Sequence, residues 1–312
     1  MTGTVSRPQR RLLLPVIAVS SALGCAPSQD QGQDQGQASV APIVVADVGF
    51  ETPESMLHDA VADVYLVGNI NGSPLDKDDN GFISRLSPAG AVEALKWIDG
   101  AGPDVTLHAP KGLAIRGDTL FVADIDTVRL FHRVSGATLG AWGIPGATFL
   151  NDVAVGPDGT LYVTDSGFRM GAQGFEPSGT DAVHRFDAMG VATAVVSGAD
   201  LGGPNGVLAE AGGLTVVTFG SGEMYAVDPA TGTRSPLTAP AGQLDGVERA
   251  TDGSLLVSSW ADSSVYRIPV TGAASRLVPG IPSPADIGYD ASRGRVLIPV
   301  FTGNRVEIRP LS

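Results

Sequence analysis

The sequence predicts an all-β fold, a six-bladed β-propeller that runs from Ile43 to the C-terminus and is closed by its own N-terminal strand. Three observations predict it. Past residue 40, no stretch of ten or more positions carries apolar residues at the three-to-four spacing of a helix, while glycine is abundant, at 41 of 312 residues. The same segment repeats at close to 40 residues. Each repeat supplies short apolar strands punctuated by Asp-Gly or Gly-Asp turns, the signal of consecutive hairpins.

The N-terminus stands apart from the repeats. Arg7, Arg10 and Arg11 precede an apolar run from Leu12 to Leu23, followed by Gly24 and Cys25, the order of a secretory signal. Twelve apolar residues are too few for a mature membrane span, which needs about 20. The tetrapeptide Ala22-Leu23-Gly24-Cys25 resembles the lipobox of bacterial lipoproteins, with leucine one place later than usual, which implies cleavage before Cys25 and a lipid on its thiol. Residues 1–24 are thus expected to be a signal peptide and the protein an exported, lipid-anchored component of the cell envelope. Cys25 is the single cysteine, so no disulfide forms within the chain. Residues 25–42, with the run QDQGQDQGQ, contain almost nothing to bury and read as a disordered tether with a reach of roughly 20–25 Å.

Without the leader's three arginines, 17 basic residues face 33 acidic ones. Nucleic acid is therefore excluded as a partner, and a monomer acting on a small molecule is expected.

Six units open with a proline- or leucine-led strand: PESMLHD at Pro53, PKGLAI at Pro110, LNDVAV at Leu150, PNGVLA at Pro204, LDGVER at Leu244 and PADIGY at Pro284. A second apolar strand follows, for example DVYLVGN and GTLYVTD, then a third such as FISRLS, and a weaker fourth. Four strands per unit is propeller geometry. The last unit ends without a fourth strand, and the apolar stretch from Ile43 to Val48 is expected to fill that place and close the ring.

Aligning the six openings puts Glu54, Lys111, Asn151, Asn205, Asp245 and Ala285 at one position, facing the hub. Four of these are oxygen donors carrying two negative charges, a set that suits a hard divalent cation, Ca²⁺ first, with Mg²⁺, Mn²⁺ or Zn²⁺ as alternatives. Without an ion, two carboxylates in a narrow tunnel repel each other or one must take up a proton. Lys111 stands ready to hold an oxyanion, to shuttle a proton, or simply to pair with Glu54 or Asp245. Asp152 and Asp286, each one residue further on, either support the metal or cap a strand turn.

At these positions the chain resembles the senescence-marker-protein, gluconolactonase and luciferin-regenerating-enzyme family of six-bladed calcium-dependent propellers, over nearly everything from Ile43 onward. The resemblance implies a catalytic metal held by Glu54, Asn151, Asn205 and Asp245, and hydrolysis of a lactone or related ester in which Asp245 and Lys111 take part. Two positions depart from the pattern. The related paraoxonases place a histidine where this chain has Lys111, and calcium-dependent relatives often carry one near Ala285-Asp286, so a histidine dyad is not expected.

The loops 69–80 and 167–180 should border the mouth, with Phe168 and Arg169, and beside them Met170 and Phe175, as substrate contacts. Asp76 to Gly81 imitates half of an EF-hand loop, but Ser87 stands where the closing glutamate belongs. His58, His108, His132 and His184 show no ligand spacing, only His108 falls near the mouth, and no Gly-x-Ser-x-Gly motif is present. A serine hydrolase is excluded. The competing expectation is a binding propeller with a structural metal and no catalysis.

Overall fold

The computed structural model describes residues 41–311. The leader, Cys25 and all but the last two residues of the tether lie outside the described residues. Six four-stranded antiparallel sheets form the blades, and one extra two-stranded hairpin is added in the third.

The first blade shows how the sequence builds each unit. Pro53–Asp59 is the inner strand, followed outward by Val64–Asn69, Phe82–Leu86 and Val92–Asp99. Burial decreases toward the rim: every residue of Val64–Asn69 is buried, whereas the rim strand of blade 2, Thr138–Gly143, is half-buried or exposed throughout. The second strands are apolar on both faces because both faces meet a neighbouring blade. Val64 and Leu66 pack with Leu120, Val122 and Phe131 of blade 2, while Tyr65 and Val67 pack with Leu297, Val306 and Ile308 of blade 6. Alternate side chains thus hold adjacent blades together.

The predicted closure is present. Ile43–Val45 pairs antiparallel with Arg305–Pro310, in the register Ile43 to Ile308 and Val45 to Val306. Burying Val45 there is worth about 1.5–3 kcal/mol. The Tyr65 hydroxyl donates to the buried Asp290 carboxylate at 2.6 Å and ties blade 1 to blade 6.

The sixth opening departs from the expected pattern. Instead of a full strand from Pro284, only an isolated bridge joins Pro284 to Val300, and the inner strand proper is Gly288–Asp290. The intervening backbone bonds sideways to blade 1, with Asp286 N donating to Glu54 O at 2.8 Å and Met56 N to Asp286 O at 3.2 Å. The ring seam takes hydrogen bonds that elsewhere serve the blade's own sheet.

Candidate functional site

Blades 1 to 5 open with a similar irregularity. In blades 2 to 5 the inner strand spends three residues where its partner spends two, as between Pro110 and Leu113 against Asp124 and Val122. Blade 1 carries one extra residue between Pro53 and Ser55. Such a bulge turns a side chain out of the pleat, and the residue turned inward is the aligned hub residue. The following position must be narrow. A Cβ on Gly112 would come within 2.3 Å of Asp152 Oδ1, and one on Gly246 within 2.4 Å of Ile287 N, so glycine lets the inner strands converge. Hydroxyls stitch them together: Ser55 Oγ donates to Lys111 O at 2.6 Å, and Thr164 Oγ1 donates to Asn205 O at 2.5 Å.

Glu54, Asn151, Asn205 and Asp245 meet at the floor of a cavity of about 340 Å³. All four are at least 95% buried, and Glu54 Oε2, Asn151 Oδ1, Asn205 Oδ1 and Asp245 Oδ1 have no hydrogen-bond partner. Four orphaned acceptors at one place is a costly arrangement for a protein that left them empty. The orientation of Asn151 is fixed: its Nδ2 donates to Ser166 Oγ at 3.1 Å, and that hydroxyl donates onward to Pro204 O, so the amide oxygen faces the hub.

The electrostatics describe the same need. Burial, then the neighbouring Asp245, pushes the Glu54 carboxyl well above the usual range, with Lys111 opposing. Burial pushes Asp245 up to about 8; the Trp260 indole N–H lies close enough to offset part of the rise without meeting hydrogen-bond geometry. The donor set therefore fits a divalent cation, which would remove both the orphaned oxygens and the carboxylate repulsion. Among the described residues, no three His, Cys, Asp or Glu side chains come together as a metal-ligating group. The hub set consists instead of two carboxylates and two amides.

Lys111 is 1% exposed, and its hydrogen-bond partners are backbone carbonyls rather than Glu54 or Asp245. Its ammonium donates to Pro74 O at 3.1 Å and Ala109 O at 3.2 Å and sits 4.5 Å from the centre of the Phe149 ring. Burial lowers its pKa, while Glu54 and then Asp124 resist that shift.

The cavity wall extends beyond Phe168 and Phe175, the two lining residues expected from the sequence. The residue immediately after each second strand is Ile70, Ile125, Ser166, Phe219, Trp260 and Phe301, so five of six equivalent places are apolar. Ile70, Phe219, Trp260 and Phe301 line the cavity, and the exception, Ser166, is the residue that orients Asn151. Counted from the aligned hub residues, these positions fall 14 to 16 residues further on, just past the end of each second strand. Aspartates closing the second strands position the adjoining segments: Asp165 accepts from Phe149 N at 3.0 Å and Asp124 from Ala109 N at 2.8 Å.

Of the two mouth loops, 69–80 reaches the cavity through Ile70 and Pro74. The segment 167–180 is no simple loop but a hairpin, Phe168–Gly171 paired with Gly174–Pro177. Phe168 and Phe175 line the cavity. Arg169, on the other face of its strand, is 61% exposed by side chain and pairs with Glu176 at 2.9 Å across the hairpin, outside the cavity lining. Met170 is also exposed. His108 Nδ1 lies 3.1 Å from both the Asp79 backbone N–H and its carboxylate, a structural placement. In the EF-like stretch Lys77 bonds Asp126 and Asn80 bonds Asp78.

The far end of the hub holds a second, smaller cavity of about 230 Å³ with Asp152, Glu248 and Asp286. Asp152 accepts from Val153 N at 2.6 Å and Val207 N at 2.7 Å, clamping blade 3 to blade 4, yet burial still lifts it to about 7. Glu248 retains some surface, but the enclosing tunnel pushes it up to about 8, and Asp286 is raised well above the usual range by burial and then by Asp152.

No known family profile matches the chain, and no curated protein does. Solved structures do. A structural-genomics target named as a gluconolactonase superposes with a TM-score of 0.65 at 18% identity, covering 87% of this chain and 92% of the other. A luciferin-regenerating enzyme gives 0.62 at 13%, with 86% and 95% covered, and a streptogramin B lyase gives 0.60 at 12%, with 86% and 97% covered. At these identities the likeness establishes a shared fold, that of a six-bladed propeller.

Proposed function

We propose that the propeller is a metal-dependent hydrolase acting on a lactone or related ester in the cell envelope, with a divalent ion held by Glu54, Asn151, Asn205 and Asp245. One observation carries the reading: the four unpartnered oxygens on the floor of a cavity large enough for a small molecule. An all-oxygen donor set with two carboxylates suits calcium, and suits magnesium or manganese better than zinc.

When bound, the ion polarises a carbonyl and stabilises the charge that forms on its oxygen. The side chains do the remaining work. The aromatic wall excludes water and strengthens each polar contact at the floor. Lys111, beside the floor, donates to the substrate's oxygen. Asp245 is protonated near neutral pH when buried without a cation and would give up that proton on ligating one; as a carboxylate it is the group that takes the proton of the attacking water. Propellers of similar shape include proteins named as a gluconolactonase and a lyase, so the architecture supports such chemistry elsewhere, although a fold alone decides none.

The test is to quantify metal on the purified protein and to assay aldonolactones, aryl esters and phosphotriesters beside Asp245→Asn. Turnover of a lactone or ester that the variant loses is expected. Bound metal with no turnover of any class would leave a binding propeller, and activity unchanged in Asp245→Asn would remove the site assignment.

The anchor is a separate proposal, supported by the Leu23-Gly24-Cys25 sequence. No helix among the described residues is long and apolar enough to cross a membrane. Cys25→Ser should move the protein from the membrane fraction to the soluble one, and unchanged fractionation would exclude the lipid.

A further inference from the structure

The cavity above the hub is walled by two groups of rings. Phe149 meets the edges of Phe168 and Phe175 at 5.9 and 6.1 Å, with interplanar angles of 88° and 82°. On the opposite arc Trp260 lies 5.2 Å from Phe219 and 5.1 Å from Phe301. Below the rings the polar groups are few: the four floor oxygens, the Lys111 ammonium, and the Trp260 indole N–H, which is buried without a partner. Phe175, 53% exposed on the hairpin arm, extends this carbon surface to the rim.

From this wall we propose that the substrate is an apolar ester or lactone carrying a ring or an alkyl chain, rather than a polyhydroxylated sugar lactone. The inference rests on the hydrolase reading for the words ester and lactone; the apolar part rests on the wall alone. A ligand with one carbonyl group places it at the floor, within reach of Lys111 and the unpartnered Trp260 N–H, and presents its body to the rings. A sugar lactone of the same size would turn several hydroxyls against phenyl faces that offer neither donor nor acceptor. Each hydroxyl buried unpaired weakens binding about tenfold, whereas a ligand ring packed against Phe149 or Phe219 strengthens it severalfold.

The experiment measures binding and turnover separately, on the full chain with calcium in excess. Binding is read by calorimetry with two lactams that resist hydrolysis, 3,4-dihydro-2-quinolinone and gluconolactam; turnover is read by pH-stat with the matching lactones. The aromatic lactam should bind at least about 100-fold tighter than the sugar lactam, as two or more unpaired hydroxyls require. Phe175→Ser, whose exposed site leaves the core intact, should weaken the aromatic lactam about three- to tenfold and leave the sugar lactam unchanged. Phe219→Leu, which keeps apolar volume, should weaken it in the same sense with the melting temperature preserved. Equal or tighter sugar-lactam binding, or aromatic binding indifferent to both substitutions, overturns the proposal. Preferential aromatic binding without turnover of either lactone upholds the wall's selectivity and removes only the hydrolysis.

Discussion

The two ends of the hub are both buried and acidic, yet Asp152 at one end is served by hydrogen-bond donors that the oxygens at the other end lack. At the far end Asp152 is given two backbone N–H donors that lock blade 3 to blade 4. At the mouth Glu54, Asn151, Asn205 and Asp245 each leave an oxygen with nothing to accept. Raised pKa values mark both ends, because burial is the leading cause at each. A perturbed carboxylate therefore does not tell the two ends apart, whereas the unpartnered oxygens do.

The comparison can be broken most forcefully by pairing Asp245→Asn with Glu248→Gln. The first should cost about 10²–10³-fold in turnover and abolish the calcium-dependent rise in melting temperature, while the second leaves both in place. Their pH behaviour separates them further. A carboxyl whose pKa is raised on folding holds its proton more tightly in the folded chain, so stability is fullest below the ordinary value near 4 and is lost as pH climbs through the folded value. For Asp245 and Glu248 that window runs from about 4 up to about 8. The metal-free protein should thus melt lower at pH 8 than at pH 5. Calcium should restore the share belonging to Glu54 and Asp245, and Glu248→Gln the share calcium leaves behind. If calcium restored the melting temperature as fully in Asp245→Asn as in the parent, the two ends would not differ as described.

A smaller effect sharpens the mouth itself. Ser166→Ala removes the acceptor for Asn151 Nδ2 and frees the amide to rotate. Metal affinity by calorimetry should fall about 10- to 100-fold, as when an outer partner of a ligand is removed, and unchanged affinity would mean the amide needs no such guide. The smallest effect belongs to Arg169→Ala. The pair with Glu176 is exposed on both sides, so stability should change by less than about 1 kcal/mol and turnover by less than twofold. A larger loss of turnover would support Arg169 as a substrate contact.

How far the sequence revealed this site depends on what repeats. The bulged openings share a pattern, a proline- or leucine-led start, and three of their five intervals are 40 residues, so Glu54, Asn151, Asn205 and Asp245 can be aligned from the sequence. The closing strand was legible because a ring of six units ended one strand short. The apolar ring at Ile70, Phe219, Trp260 and Phe301 recurs as well, but apolar residues after apolar strands look like ordinary core. Other features were beyond a linear reading. Lys111 is held by carbonyls of Ala109 and the distant Pro74, not by the acids aligned with it. Arg169 could be placed near the mouth, but whether it faced in or out depended on the pairing of Phe168–Gly171 with Gly174–Pro177, which turns neighbouring residues to opposite sides. The sixth opening lost its strand to hydrogen bonds with blade 1, a seam that exists only once the ring closes.

That seam also means the molecule has no natural first blade. Ile43 pairs with Ile308 in antiparallel register, which brings the two ends of the described chain side by side within one sheet. The order of blades is then a matter of where the polypeptide happens to be cut. A short linker joining the ends, with new termini opened in the exposed turn 229–232 of blade 4, would give a circular permutant that keeps all six sheets and both hub cavities.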